Sequence, residues 1–280
     1  MFLKKFIKLY PSLTYFFLVF FISWGGLLIS GNFPPDWTQF EKLGITLYLG
    51  ILAGPSLSSI LLTGIIDGKE GFRNLFVRCS RWRLEIKWYA LALLPALLMA
   101  MTFLLLSFIS HDFRPAIIES NNKIGIIMLA LGPSLFFGFF EEIGWTGFVV
   151  PQLLHRHGIA ATGLLVGIVW GAWHFPLFWE GNTFSALLPL SILLARLFSW
   201  LPAFRVLMVW IYVRTESLFV IAFMHATLVM TQLILIPKSL AGGRLLIHIL
   251  VMAGILWLLL VVITISNHGN LSQQSETKKT

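Results

Sequence analysis

In this chain of 280 residues 58% are hydrophobic and only 11% are Asp, Glu, Lys or Arg, against roughly 25% charged in an ordinary soluble domain. That excludes a soluble fold. Twenty basic against twelve acidic side chains would suggest nucleic acid in a soluble protein. In so apolar a chain the excess is first the loop asymmetry that orients membrane helices, and no basic tract interleaved with aromatics argues for nucleic-acid binding. The single cysteine, Cys79, excludes an internal disulfide framework and any multi-cysteine metal site.

Lys4, Lys5 and Lys8 precede an apolar run from Leu13 to Ile29. The run is longer than a signal-peptide core, and Gly31-Asn32-Phe33-Pro34-Pro35 reads as a turn rather than a cleavage site, so a retained first span is expected. Apolar stretches fall at 12–30, 44–66, 87–110, 124–154, 159–179, 187–213, 217–236 and 245–266. They predict an all-α polytopic bundle of about eight transmembrane helices within one integral-membrane domain, 1–280. The fourth and sixth stretches are too long for a straight perpendicular crossing. No ten-residue alternating strands occur, so a barrel is disfavoured. Eight crossings put both termini on one side. That side gathers thirteen of the twenty Lys and Arg residues and the other side five, which predicts cytoplasmic termini.

Between Gly68 and Trp88, Phe72, Leu75, Phe76, Cys79, Trp82 and Ile86 share one helical arc while Arg73, Arg78 and Arg81 lie elsewhere on the wheel. This fits a short helix on the lipid surface, or simply a basic loop that sets topology. Arg196 and Arg205 fall inside the sixth stretch; they either snorkel or line a polar interior. The tail 267–280 is polar and carries no hydrophobic anchor.

Of the twelve acids only Glu141 and Glu142 lie deep in a span. A carboxylate at mid-bilayer costs ~2.5 kcal/mol or more, so the pair is expected to face a shared polar cavity. Neighbours on a helix are about 100° apart, so the two must do different work. Thr146, one turn beyond Glu142, is placed to donate a hydrogen bond to it. His174 follows Gly167 and Gly171, small residues that let another helix approach, and Pro176 should end that helix. His225 shares a polar stripe with Ser217 and Gln232. Two carboxylates and two imidazoles from three spans suit a water-activating site, a divalent-metal site or a proton relay.

The segments Glu141-Glu142-Ile143-Gly144-Trp145-Thr146-Gly147, Trp170-Gly171-Ala172-Trp173-His174-Phe175-Pro176 and Ser217 to Thr227 resemble the three signature motifs of the CPBP intramembrane protease family. This is the prokaryotic Abi group related to type II CAAX prenyl endopeptidases. The resemblance runs in order over about residues 130–230. It implies an intramembrane endopeptidase of a prokaryotic plasma membrane that hydrolyses a membrane-associated protein or peptide. Glu141 would be the general base, Glu142 its electrostatic companion, and His174 and His225 would orient water or stabilise the oxyanion. It leaves open a zinc-like divalent metal on His174, His225 and Glu141, or a metal-free glutamate mechanism. The family's Arg in the first motif is Thr146 here, and the Asn of the third is Val229; Arg196 or Arg205 could supply the missing guanidinium in space. A proton-coupled transporter or a toxin-immunity protein would use the same cavity without proteolysis. Neither the substrate nor the oligomeric state is written in the sequence.

Overall fold

The computed structural model describes residues 2–29, 40–237 and 239–266, with side chains from Lys4 in the first segment and from Ala53 in the second. The expected turn at Gly31–Pro35 and the tail 267–280 lie outside the described residues. Among the described residues there is no strand. The helices are α1 (Phe2–Leu9), α2 (Pro11–Ile29), α3 (Phe40–Ile66), α4 (Gly68–Cys79), α5 (Ile86–Ser107), α6 (Ala116–Glu119), α7 (Lys123–Gly144), α8 (Val150–Leu154), α9 (Ile159–Trp173), α10 (Phe175–Phe178), α11 (Leu187–Phe198), α12 (Leu201–Thr215), α13 (Leu218–Leu235) and α14 (Gly242–Ser266).

All eight expected stretches carry helix. Six helical segments are long and apolar enough to cross a membrane, and two shorter apolar ones, Ala53–Ile66 and Ile159–Trp173, accompany them. The overlong fourth stretch stays continuous from Lys123 to Leu154 because a π-turn at Trp145–Val149 joins α7 to α8. The sixth stretch is not one rod. It breaks at Ser199 and Trp200, and Pro202 opens α12, where its missing N–H costs no helical bond. Local chemistry sets other boundaries. Asn122 caps α7 by accepting from the Gly125 N–H at 2.9 Å, and Ser217 caps α13 by accepting from the Val220 N–H at 3.1 Å. Gly68 takes φ +60° between α3 and α4, a left-handed turn that a side chain would resist.

The centre of the bundle is α12. Every residue from Leu201 to Tyr212 is buried, as expected of a stretch apolar on all sides except for one charge, Arg205; the helix's second arginine, Arg214, lies in its last turn. α9 packs against it along Gly163 and Gly167, and meets the end of α11 at Gly171. A Cβ at Gly163 would sit 2.5 Å from the Val206 Cα, and one at Gly167 2.5 Å from the Pro202 Cα. At Gly171 it would run into the Leu197 carbonyl oxygen. On the other side α7 meets α13 at Gly138, where a Cβ would lie 2.5 Å from the Ala222 carbonyl oxygen. Between apolar helices in lipid, backbone approach of this kind supplies the packing attraction that the hydrophobic effect cannot. The segment after Gly68 does form a helix, but only to Cys79: Trp82 lies in the non-helical link 81–85 and Ile86 opens α5, while Phe72 and Phe76 are exposed as a lipid-surface helix requires.

Gly167→Leu should therefore lower stability by about 1–3 kcal/mol through overpacking, read as a fall in the thermal midpoint in detergent. Gly254→Leu, where nothing lies within 4 Å of the added Cβ, should leave the midpoint unchanged.

Candidate active site

Glu141 and Glu142 end the last turns of α7, immediately before the π-turn, and both are buried, at 3% and 1% exposure. Their surroundings divide them. Glu142 is saturated: Arg205 Nη1 donates to its Oε2 at 2.8 Å and Nη2 to its Oε1 at 3.1 Å. The Thr146 hydroxyl donates to Oε2 at 2.5 Å, and His225 Nδ1 lies 2.9 Å from Oε1. Glu141 receives one side-chain bond among the described residues, from Trp170 Nε1–H to Oε2 at 2.8 Å. Its other oxygen has no side-chain donor there. The helical offset of about 100° expected for adjacent residues has thus become a split between a held carboxylate and an open one.

The two histidines are fixed in one sense. A carboxylate or carbonyl oxygen can only accept, so Nδ1 carries the proton in both rings. His225 Nδ1–H donates to Glu142, and His174 Nδ1–H donates to the Trp170 carbonyl at 2.7 Å. Each ring is left presenting Nε2, a lone-pair acceptor in the neutral form. His174 is not inside a helical rod as expected. α9 ends at Trp173 and His174 is its C-cap, ahead of Pro176, which opens the short α10. That break brings the ring beside Phe178, stacked at 5.9 Å.

Trp170 ties the parts together. Its ring lies 5.0 Å from His174, 5.3 Å from His225 and 4.2 Å beneath the Arg205 guanidinium, while its N–H holds Glu141. Sequence reasoning missed it. The available signal was an indole N–H one turn before His174 on an otherwise apolar helix. The two buried-span arginines separate. Arg205, with no exposure, lines the polar interior and supplies the guanidinium absent at Thr146. Arg196 stays partly exposed, 3.5 Å from Glu180 and over the Phe178 ring. Ser217 from the polar stripe is a helix cap, its hydroxyl donating to the Arg81 carbonyl at 2.6 Å. Val229 is half-buried one turn beyond His225. His248 is buried elsewhere, stacked on Phe103 at 4.0 Å.

A divalent metal fits this donor set poorly. Among the described residues no three His, Cys, Asp or Glu side chains are grouped to hold one. Both Glu142 oxygens are already engaged, and a guanidinium occupies the same centre.

A bundle of membrane-length helices that brings together two carboxylates, two imidazoles and a guanidinium from four helices, all but His174 buried, defines a polytopic membrane protein with an internal polar centre. Residues 123–231, which include all five groups, match the family described as type II CAAX prenyl endopeptidase Rce1-like. A protein named CAAX prenyl protease 2 from Methanococcus maripaludis is 26% identical over 185 residues, 64% of this chain. The chain spans 65% of the length of that relative. Over that stretch the chain is similar to type II CAAX prenyl endopeptidases.

Arg205→Met should strand Glu142 as an uncompensated buried charge and cost about 3–5 kcal/mol. Detergent-solubilised protein should show a large fall in thermal midpoint, and Arg205→Met combined with Glu142→Leu should recover much of it.

Proposed function

We propose that this protein is an intramembrane endopeptidase in which Glu141 activates water to hydrolyse a peptide bond of a membrane-associated protein or peptide. The unequal occupation of the two carboxylates carries the reading. Glu142 is neutralised and immobilised by Arg205, Thr146 and His225, whereas Glu141 is oriented by a single donor and keeps an oxygen open. A general base must be oriented yet free to accept a proton, and only Glu141 answers that description.

In the proposed cycle a water donates one hydrogen bond to Glu141 and the other to an imidazole Nε2. Glu141 takes the proton as the water oxygen attacks the scissile carbonyl carbon. The other imidazole, carrying on Nε2 a proton taken up from solvent before attack, presents Nε2–H to the developing oxyanion and keeps that proton through the cycle. Collapse of the tetrahedral intermediate breaks the C–N bond, and the proton held by Glu141 passes to the leaving nitrogen. Glu142, through His225, keeps one ring in the correct tautomer, and Trp170 holds Glu141 against both rings. The substrate reaches this centre from the bilayer, and the basic end of the bundle faces the cytoplasm of a prokaryotic cell, with both termini on that side. The likeness to type II CAAX prenyl endopeptidases supports the peptidase class.

Glu141→Gln should reduce cleavage by about 10²- to 10⁴-fold while the thermal midpoint stays near that of the parent protein. The assay is purified protein in liposomes with membrane-anchored peptides, new termini being read by mass spectrometry. Turnover unchanged in Glu141→Gln would sink the assignment. pH-driven flux without new termini would favour a transporter using the same cavity.

A further inference from the structure

The two glutamates are held a second time, through the main chain that carries them. Ser56 Oγ of α3 donates to the Phe140 carbonyl at 2.5 Å, and Ser59 Oγ donates to the Ile143 carbonyl at 3.0 Å. Phe140 precedes Glu141 and Ile143 follows Glu142, so the two bonds bracket the pair. Both serines are buried, at 5% and 0% exposure.

Their spacing suits two helices lying side by side. Ser56 and Ser59 are three residues apart and share one face of α3, and Phe140 and Ile143 have the same spacing on α7. Beside these rungs the backbones touch, since a Cβ on Gly144 would run into the Pro55 carbonyl. A glycine there lets α3 come close enough for a side chain as short as serine to reach a main-chain oxygen. The regular i→i+4 ladder of α7 gives way to the wider π-turn at Trp145–Val149, and carbonyls beside such a change of register draw on donors from outside the helix. Burial alone does not produce such bonds. Ser58 on the same helix has no exposure either, and its hydroxyl finds no partner among the described residues.

The two carboxylates depend on this brace unequally. Glu142 is gripped at its own oxygens by Arg205, Thr146 and His225. Glu141 has the Trp170 N–H alone, so the direction of its carboxylate follows the rotation of its turn of α7. Two anchored carbonyls, one on each side of the pair, fix that rotation.

We propose, resting on Glu141 as the general base, that Ser56 and Ser59 are positioning residues for it: they set the rotation of this turn of α7 and with it the aim of the open carboxylate. They touch neither water nor substrate in this role and act through the backbone of Phe140 and Ile143.

The test compares the full chain in liposomes as parent, Ser56→Ala, Ser56→Cys, Ser58→Ala and the double variant Ser56→Ala with Ser59→Ala, in two independent readouts. The first is steady-state cleavage of membrane-anchored peptides. Ser56→Ala should lower kcat about tenfold and the double variant about a hundredfold, with KM within about twofold of the parent value, because orientation is lost and binding is not. Ser56→Cys keeps a weak S–H donor and should fall between Ser56→Ala and the parent. The second readout is backbone hydrogen–deuterium exchange over residues 141–149, followed by mass spectrometry of peptic fragments. The double variant should exchange there about tenfold faster than the parent, and Ser58→Ala should match the parent in both readouts. A double variant with the kcat of a cleaving parent would overturn the positioning role, as would an equal loss of kcat in Ser58→Ala. A parent that cleaves no peptide would overturn the peptidase reading by itself; exchange then decides the brace, and a double variant exchanging at the parent rate would overturn it.

Discussion

A carboxylate and a guanidinium removed from water must neutralise one another or stay out of a bilayer. Glu142 and Arg205 meet that demand inside the bundle, where their side chains keep 1% and 0% of their exposure. The idealised penalty for desolvating each ion is many times the ~2–3 kcal/mol by which a typical charge-assisted hydrogen bond stabilises a fold. Such a pair persists only when geometry is fork-to-fork and the remaining lone pairs are filled, as Thr146 and His225 fill them here. Helices α7, α12 and α13 are consequently fixed in register with one another, because a shift of any one would break the pair. The hydrophobic packing around them is permissive; this contact is not.

Close backbone approach is what makes that register attainable. Gly163 and Gly167 let α9 lie directly on α12, and Gly171 lets it meet the end of α11, so that the Trp170 ring reaches the Arg205 guanidinium and its N–H reaches Glu141. Gly138 does the same for α7 and α13, one turn before Glu142 and level with the stretch of α13 that carries His225. Larger residues at these points would push the polar groups beyond hydrogen-bond range and leave buried charges unpaired. The π-turn that follows Glu142 belongs to the same design. It places Thr146 on Glu142 and carries the chain on as α8 without breaking the span, in keeping with the frequency of such turns beside functional groups.

The inequality of two adjacent carboxylates has a physical consequence for chemistry. One carboxylate is committed to holding the structure and one imidazole tautomer, and in the proposed mechanism the other exchanges a proton. Splitting the tasks avoids asking a single buried group to be both fixed and reactive. The same separation appears at the basic end of the bundle, where Arg81 is consumed by Glu216 while Arg78 is positioned by neutral partners and left without a counter-ion.

Much of this was readable before any coordinate. Composition and apolar runs dictated a helical membrane bundle, since lipid admits no unsatisfied backbone and 11% charge leaves few residues for anything but ends and loops. The scarcity of charge singled out Glu141 and Glu142, and the 100° helical step showed that they had to differ. Which one is held and which one is open was not readable, because that depends on a partner 63 residues away in sequence, Arg205, and on a tryptophan that composition treats as apolar. The break of the sixth stretch into α11 and α12 was hidden for a related reason: hydropathy counts apolar residues and is blind to where a helix must restart to turn its one charge inward. Local spacing fixed the kinds of groups in the span, and only the tertiary approach of four helices decided which of them meet.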